Sequence, residues 1–122
     1  MKNKILALAA AAEAGTGVLV FALPQGAVRL LFAADVTEAG VLISRVAGIS
    51  LIGLGVACWP GKDSLRAFYG MLAYTVLVMI YLLVVGVGGH AGVLLWPAVT
   101  LHAILAAFLL RARFKEERTS AV

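Results

Sequence analysis

Two ionisable side chains, Glu13 and His102, lie inside long apolar segments of this 122-residue chain. A carboxyl and an imidazole can share one proton or form an imidazolium–carboxylate pair, and either arrangement makes both groups tolerable away from water. Three further polar side chains have similarly apolar neighbours in the sequence: Thr16, Ser50 and Tyr74. These five residues can act together only if the elements that carry them place them at one level.

The composition indicates the environment in which those elements fold. Hydrophobic residues make up 63% of the chain and charged residues 13%, whereas a soluble domain carries about a quarter charged residues and about half apolar ones. A chain of this length cannot bury so much apolar surface in its own core. The composition therefore predicts the lipid bilayer as a partner, and the length predicts one domain over residues 1–122.

Four apolar stretches, 5–23, 36–59, 67–85 and 93–110, are each close to the ~20 residues that a helix needs to cross a bilayer. In lipid each peptide group must pair within its own segment, which favours helices, and none of the stretches alternates as a barrel strand does. The first stretch begins like a secretory signal but is long enough to be a retained span. We predict an all-α, four-transmembrane-helix bundle.

The connections and helix faces carry further predictions. Residues 24–40 are apolar around Arg29, which predicts a short interfacial helix between the first two spans, and Asp35 to Glu38 resembles a capping box for the second span. The tail, 111–122, is predicted to be cytoplasmic, solvated and partly disordered.

Small residues at four-residue spacing predict close helix packing or an oligomer interface. They are Ala7, Ala11 and Gly15; Gly40, Ser44 and Gly48; Gly53 and Ala57; and Ala98 and Ala106 around His102.

The cations are unevenly distributed between the two sides of such a bundle. Only Arg29 and Arg45 lie on one side. The other side, with both termini, carries Lys2, Lys4, Lys62, Arg66, Arg111, Arg113, Lys115 and Arg118. Because loops rich in lysine and arginine stay in the cytoplasm, we predict a multi-pass protein with both termini cytoplasmic. This also explains the net positive charge without a nucleic-acid partner.

The rise of a helix places the polar side chains by depth. Glu13 and His102 come out about 12 Å from the cytoplasmic face, Tyr74 about 10 Å, and Thr16 and Ser50 about 16 Å. We therefore predict an intramembrane polar layer. A charged carboxylate in lipid costs several kcal/mol, so Glu13 should face other protein or stay protonated. Two interpretations stay open: a functional site, or hydrogen bonds that only hold helices together.

Arg45 lies well inside the second predicted span. It could anchor the span at the outer boundary, pair with Asp35 or Glu38, or contact an anionic headgroup or substrate.

No catalytic residue, metal site or cofactor is predicted. The glycine-rich stretches lack the strand–turn–helix context of a phosphate-binding loop, and no nucleophile–base motif occurs. His90 and His102 differ in depth, which opposes a haem held by both histidines of one chain, and the single Cys58 cannot form an internal disulfide. We therefore do not predict an enzyme.

Four stretches carry a family resemblance: EAGTGVLVFALP (13–24), SRVAGISLIGLGVACWPG (44–61), AYTVLVMIYLLV (73–84) and LLWPAVTLHAILA (94–106). The chain resembles small four-helix bacterial inner-membrane proteins of unknown function, loosely similar to DoxX-like proteins. The resemblance implies the four-helix fold and the bacterial inner membrane, and it implies no activity.

Three functions stay open. The sequence favours a non-enzymatic accessory or structural subunit that forms a homo-oligomer or joins a larger membrane complex. The alternative is a small proton-linked transporter or channel, with Glu13 carrying the proton and His102 as its partner. The third is a redox subunit that holds haem or quinone.

Overall fold

The computed structural model describes residues 1–62 and 64–122, and helices account for 83% of these residues, with no strand among them. The helices are α1 (Lys2–Ala22), α2 (Pro24–Phe32), α3 (Glu38–Ala57), α4 (Ser64–Val87) and α5 (Leu95–Ser120). Four of them, α1, α3, α4 and α5, are long and apolar enough to cross a membrane. The predicted all-α bundle, with a short helix between the first two spans, is confirmed.

The start of α3 differs from the predicted capping box. Thr37 is the N-cap, and its hydroxyl oxygen accepts a hydrogen bond of 3.1 Å from the backbone N–H of Gly40. The carboxylate of Asp35 instead lies 2.7 Å from the guanidinium of Arg29 on α2. The prediction that Asp35 caps this helix was therefore wrong, because a hydroxyl nearer to the first turn takes that role.

The final helix is longer than the sequence indicated. α5 continues to Ser120, so the segment predicted to be partly disordered is helical. Lys2 on α1 lies 3.1 Å from Glu116, and Arg113 lies 3.1 Å from Glu117 one turn along α5. Such ion pairs support the last turns of a helix after it has left the apolar core.

α1 and α3 pack antiparallel through glycines. Gly17 meets Gly48, and Gly55 meets the α1 backbone about two turns away. A Cβ on Gly48 would lie 2.6 Å from the carbonyl oxygen of Gly17, so only glycine permits this approach. Gly15 and Gly53, which belonged to the predicted stripes, face open space. Close packing through small residues was predicted, and Gly48 of the predicted stripes takes part in it, whereas Gly17 and Gly55 lay outside those stripes.

Two apolar clusters form the core. The first is Leu6, Ala9, Ala10, Cys58, Phe68, Met71, Leu105 and Leu109, and the second is Leu82, Leu95 and Val99. On α5, His102 lies between the parts of the helix that enter the two clusters, and on α4 Tyr74 and Thr75 do the same. Glu13 follows the last α1 residue of the first cluster by one turn. The core therefore has a polar level between two apolar ones.

Candidate functional site

Glu13 on α1 and His102 on α5 meet inside the bundle. Glu13 Oε1 lies 3.5 Å from His102 Nε2, and the two side chains are 5% and 12% exposed, respectively. Glu13 follows the buried Leu6, Ala9 and Ala10 on the same face of α1, and that face turns it away from lipid. The packing of α1 against α5 therefore brings the Glu13 carboxyl and the His102 imidazole together.

The second ring nitrogen of His102, Nδ1, indicates which tautomer the neutral imidazole adopts. Nδ1 is 2.8 Å from the carbonyl oxygen of Ala98, one turn earlier on α5. A carbonyl can only accept, so Nδ1 carries the hydrogen and donates it. In the neutral ring Nε2 is then an acceptor that faces Glu13, and in the imidazolium it is a donor.

This arrangement fits one proton between Glu13 and His102. Either the carboxylic acid faces the neutral Nε2, or the carboxylate faces the imidazolium, and both states are neutral overall. Removing that proton would leave two acceptors facing each other, and adding a second would leave a net charge away from water. At 3.5 Å the contact is not yet a hydrogen bond, and His102 Nε2 is buried without another partner in the described chain.

Tyr74 on α4 completes the group. Its ring lies 6.4 Å from the His102 ring, centroid to centroid, at 54° between the planes. Side chains of three helices, α1, α4 and α5, therefore meet at one level of the bundle.

The structure leaves Thr16 and Ser50 outside this group. Both are exposed, and each hydroxyl bonds to its own helix: Thr16 to the Ala12 carbonyl at 2.8 Å and Ser50 to the Val46 carbonyl at 2.9 Å. The depth of a residue does not determine the direction in which its side chain faces, because successive residues are rotated by about 100° about the helix axis. Ser50 lies about 200° from Gly48, on the face of α3 opposite α1.

One buried polar residue was missed. Thr75 on α4 is fully buried, and its hydroxyl donates to the Met71 carbonyl at 2.8 Å. Its position beside Tyr74 in an apolar helix was the available signal. Because the hydroxyl is satisfied within α4, Thr75 contributes packing at this level rather than a free proton donor.

Arg45 lies apart from the site, exposed on α3. Asp35, one of its predicted partners, is paired with Arg29 instead. Across residues 1–62 and 64–122, no carboxylate lies within salt-bridge distance of Arg45. A guanidinium on an apolar helix without an internal counter-charge is left to interact with groups outside the chain.

Comparison of the chain with protein-family models, curated proteins and solved structures finds no match. The resemblance to DoxX-like proteins therefore stays a prediction, and the functional argument rests on the geometry of this chain.

Proposed function

We propose that the chain is a non-enzymatic membrane subunit, in a homo-oligomer or a larger membrane complex, whose Glu13–His102 pair holds α1 against α5. The observation that carries the proposal is the open face of α3. This helix packs mainly on α1, and the side opposite Gly48 carries exposed Val46, Ser50, Gly53 and Ala57. Arg45 on the same helix is exposed and has no acidic partner in the described chain.

The core chemistry supports a structural role for the pair. Glu13 and His102 lie between the two apolar clusters, and the buried hydroxyl of Thr75 is satisfied by its own helix. An acid and an imidazole that face each other at one level favour the helix rotation that brings them together, since any other rotation would leave each one alone in an apolar medium.

Location and orientation belong to the same proposal. Lys2 contacts Glu116 and Arg113 contacts Tyr69, so the starts of α1 and α4 lie at the same end of the molecule as the end of α5. The cation-rich segments share that end, and the positive-inside rule then favours cytoplasmic termini. We place the chain in a bacterial inner membrane.

The test is purification of the tagged full chain from its own membrane in a mild detergent, followed by mass measurement of the complex. We expect a stoichiometric assembly. Gly53→Leu should reduce its yield several-fold, because it fills the open face of α3. Gly70→Leu is the matched control, since a Cβ at either glycine meets nothing within 4 Å and Gly70 lies on α4. A monomeric native chain, or equal assembly in both variants, would exclude this role for α3.

Proton-linked transport is the second candidate, and the one-proton geometry of Glu13 and His102 favours it. A group that binds one proton between two carriers can release it when either partner moves. The test is proton flux into liposomes that contain the native chain or Glu13→Gln, reported by an internal pH dye. Flux that Glu13→Gln abolishes would support transport, and equal or absent flux in both would exclude it.

A haem or quinone subunit remains the third candidate, and the site geometry argues against a haem on His102. Both ring nitrogens face protein atoms, Nδ1 the Ala98 carbonyl and Nε2 the Glu13 carboxyl. Iron ligation would require one of these contacts to be given up. An absorbance scan of the purified chain that shows a Soret band would reverse this ranking.

A further inference from the structure

An apolar groove of 380 Å³ lies between α1, α2 and α5. One wall follows the end of α1, from Thr16 to Leu23, and another follows the start of α5, from Leu94 to Leu101, with α2 as the third side. The seven steps from the first to the last residue of each wall give the groove a length of about 10 Å along the helices. Thr16 is the one polar residue in the lining, and its hydroxyl donates to its own helix.

α2 is held in place by backbone hydrogen bonds to the segment before α5. The N–H of Gly92 donates to the Leu31 carbonyl at 2.8 Å, and the N–H of Leu94 donates to the Leu30 carbonyl at 2.7 Å. A Cβ on Gly92 would collide with the Leu30 carbonyl, so this approach requires glycine. Backbone contacts therefore fix the position of α2, which forms one side of the groove.

Polarity selects the occupant. Buried water needs two to four polar partners, and this lining offers no free ones. A hydrocarbon chain needs no hydrogen bonds, and the surrounding bilayer supplies such chains to a bundle whose helices are long and apolar enough to cross a membrane. A helix of a second copy is the competing occupant, and it would give a dimer without bound lipid in the titration below.

We propose that this groove binds one acyl chain of a phospholipid from the surrounding bilayer. The groove reaches the end of the bundle where Arg29 and Asp35 form an exposed ion pair, with side chains 69% and 85% exposed. Because these two charges neutralise each other, the rim offers no net charge to an anionic headgroup. The site therefore selects the chain and not the headgroup.

Titration of the delipidated full chain with dioleoyl phosphatidylglycerol or dioleoyl phosphatidylethanolamine, followed by native mass spectrometry, tests the proposal. We expect one tightly bound lipid per chain and equal affinity for the two headgroups. Gly26 lines the groove, and a Cβ added there would have no atom within 4 Å, so Gly26→Leu places a side chain in the groove without a backbone clash. It should weaken binding about tenfold by occupying the space of buried methylenes.

Gly70→Leu is the matched control and should bind lipid like the native chain, since Gly70 is equally open but lies on α4 away from the groove. Ala27→Leu, also in the lining, is the second variant should Gly26→Leu alter α2, and circular dichroism reports helix content for each. Equal binding in all variants would overturn the proposal. A tenfold preference for phosphatidylglycerol would replace it with a headgroup site.

Discussion

At the scale of single residues, the main feature is a carboxyl and an imidazole that neutralise each other out of reach of water. Glu13 and His102 each present one atom to the other, and the remaining imidazole nitrogen is bonded to Ala98. Removing either residue would leave the other as a buried, unsatisfied polar group. Their energetic contributions should therefore be strongly coupled.

A double-mutant cycle measures that coupling. We expect Glu13→Leu and His102→Leu each to lower the free energy of unfolding by about 1–3 kcal/mol, because each leaves the other group unpaired. The double variant should be less destabilised than the sum of the two by about 1 kcal/mol or more. The measurement is reversible unfolding in mixed micelles titrated with a denaturing detergent.

Ser50→Ala serves as the control for the cycle. Its hydroxyl is exposed and bonded within α3, so removal should change stability by less than about 0.5 kcal/mol. If the two leucine substitutions are simply additive, the pair does not hold α1 against α5, and the structural part of the proposed function fails.

At the scale of helices, the glycine contact between α1 and α3 sets how closely the two approach. Gly48→Leu should lower the free energy of unfolding by about 3 kcal/mol or more, because its Cβ would meet the Gly17 carbonyl and the Phe21 backbone, which cannot rotate away. Gly70→Leu, whose Cβ meets nothing within 4 Å and which lies away from the face proposed for assembly, should leave the free energy of unfolding nearly unchanged. The two variants can be compared by thermal unfolding of the purified chain, and similar melting temperatures would contradict the packing described here.

The same helices show what the sequence could and could not predict. Length and hydropathy were enough for the four spans, since backbone pairing in lipid leaves few alternatives. The 1.5 Å rise put Glu13, His102 and Tyr74 at similar depth, and the structure brings these three side chains together. The face that each helix turns toward its neighbours was not predictable, because small residues cover several faces of α1 and α3. The structure shows that Ser50 and Gly53 lie on the open side of α3.

Two differences at helix ends have local causes. The charges after residue 110 predict a partly disordered tail, whereas the ion pairs of Glu116 with Lys2 and of Arg113 with Glu117 support a helix there. Asp35 pairs with Arg29 instead of capping α3, and that pairing depends on the turn after α2, where Ala33 has a φ of 52°. Neither contact could be deduced from hydropathy.

At the scale of the whole molecule, the charges divide the bundle into two unlike ends. One end collects the N-terminus, the start of α4 and the last turns of α5, joined by the contacts of Lys2 with Glu116 and of Tyr69 with Arg113. The other end carries Arg29, which Asp35 neutralises, and the glycine turn after α4. Such asymmetry favours one orientation across a membrane, because translocating several cations is unfavourable.

Cysteine accessibility in intact cells tests that orientation. The native Cys58 is 4% exposed within the first apolar cluster, so it should give no background with a membrane-impermeant maleimide. His90→Cys and Ala34→Cys, at the end with few cations, should be labelled from outside, whereas Asn3→Cys and Ser120→Cys should be labelled only after the membrane is opened. All four positions are exposed, so a difference between them reports the side of the membrane and not burial. The reverse pattern would contradict cytoplasmic termini, and partial labelling of both sets in intact cells would mean that the chain inserts in two orientations.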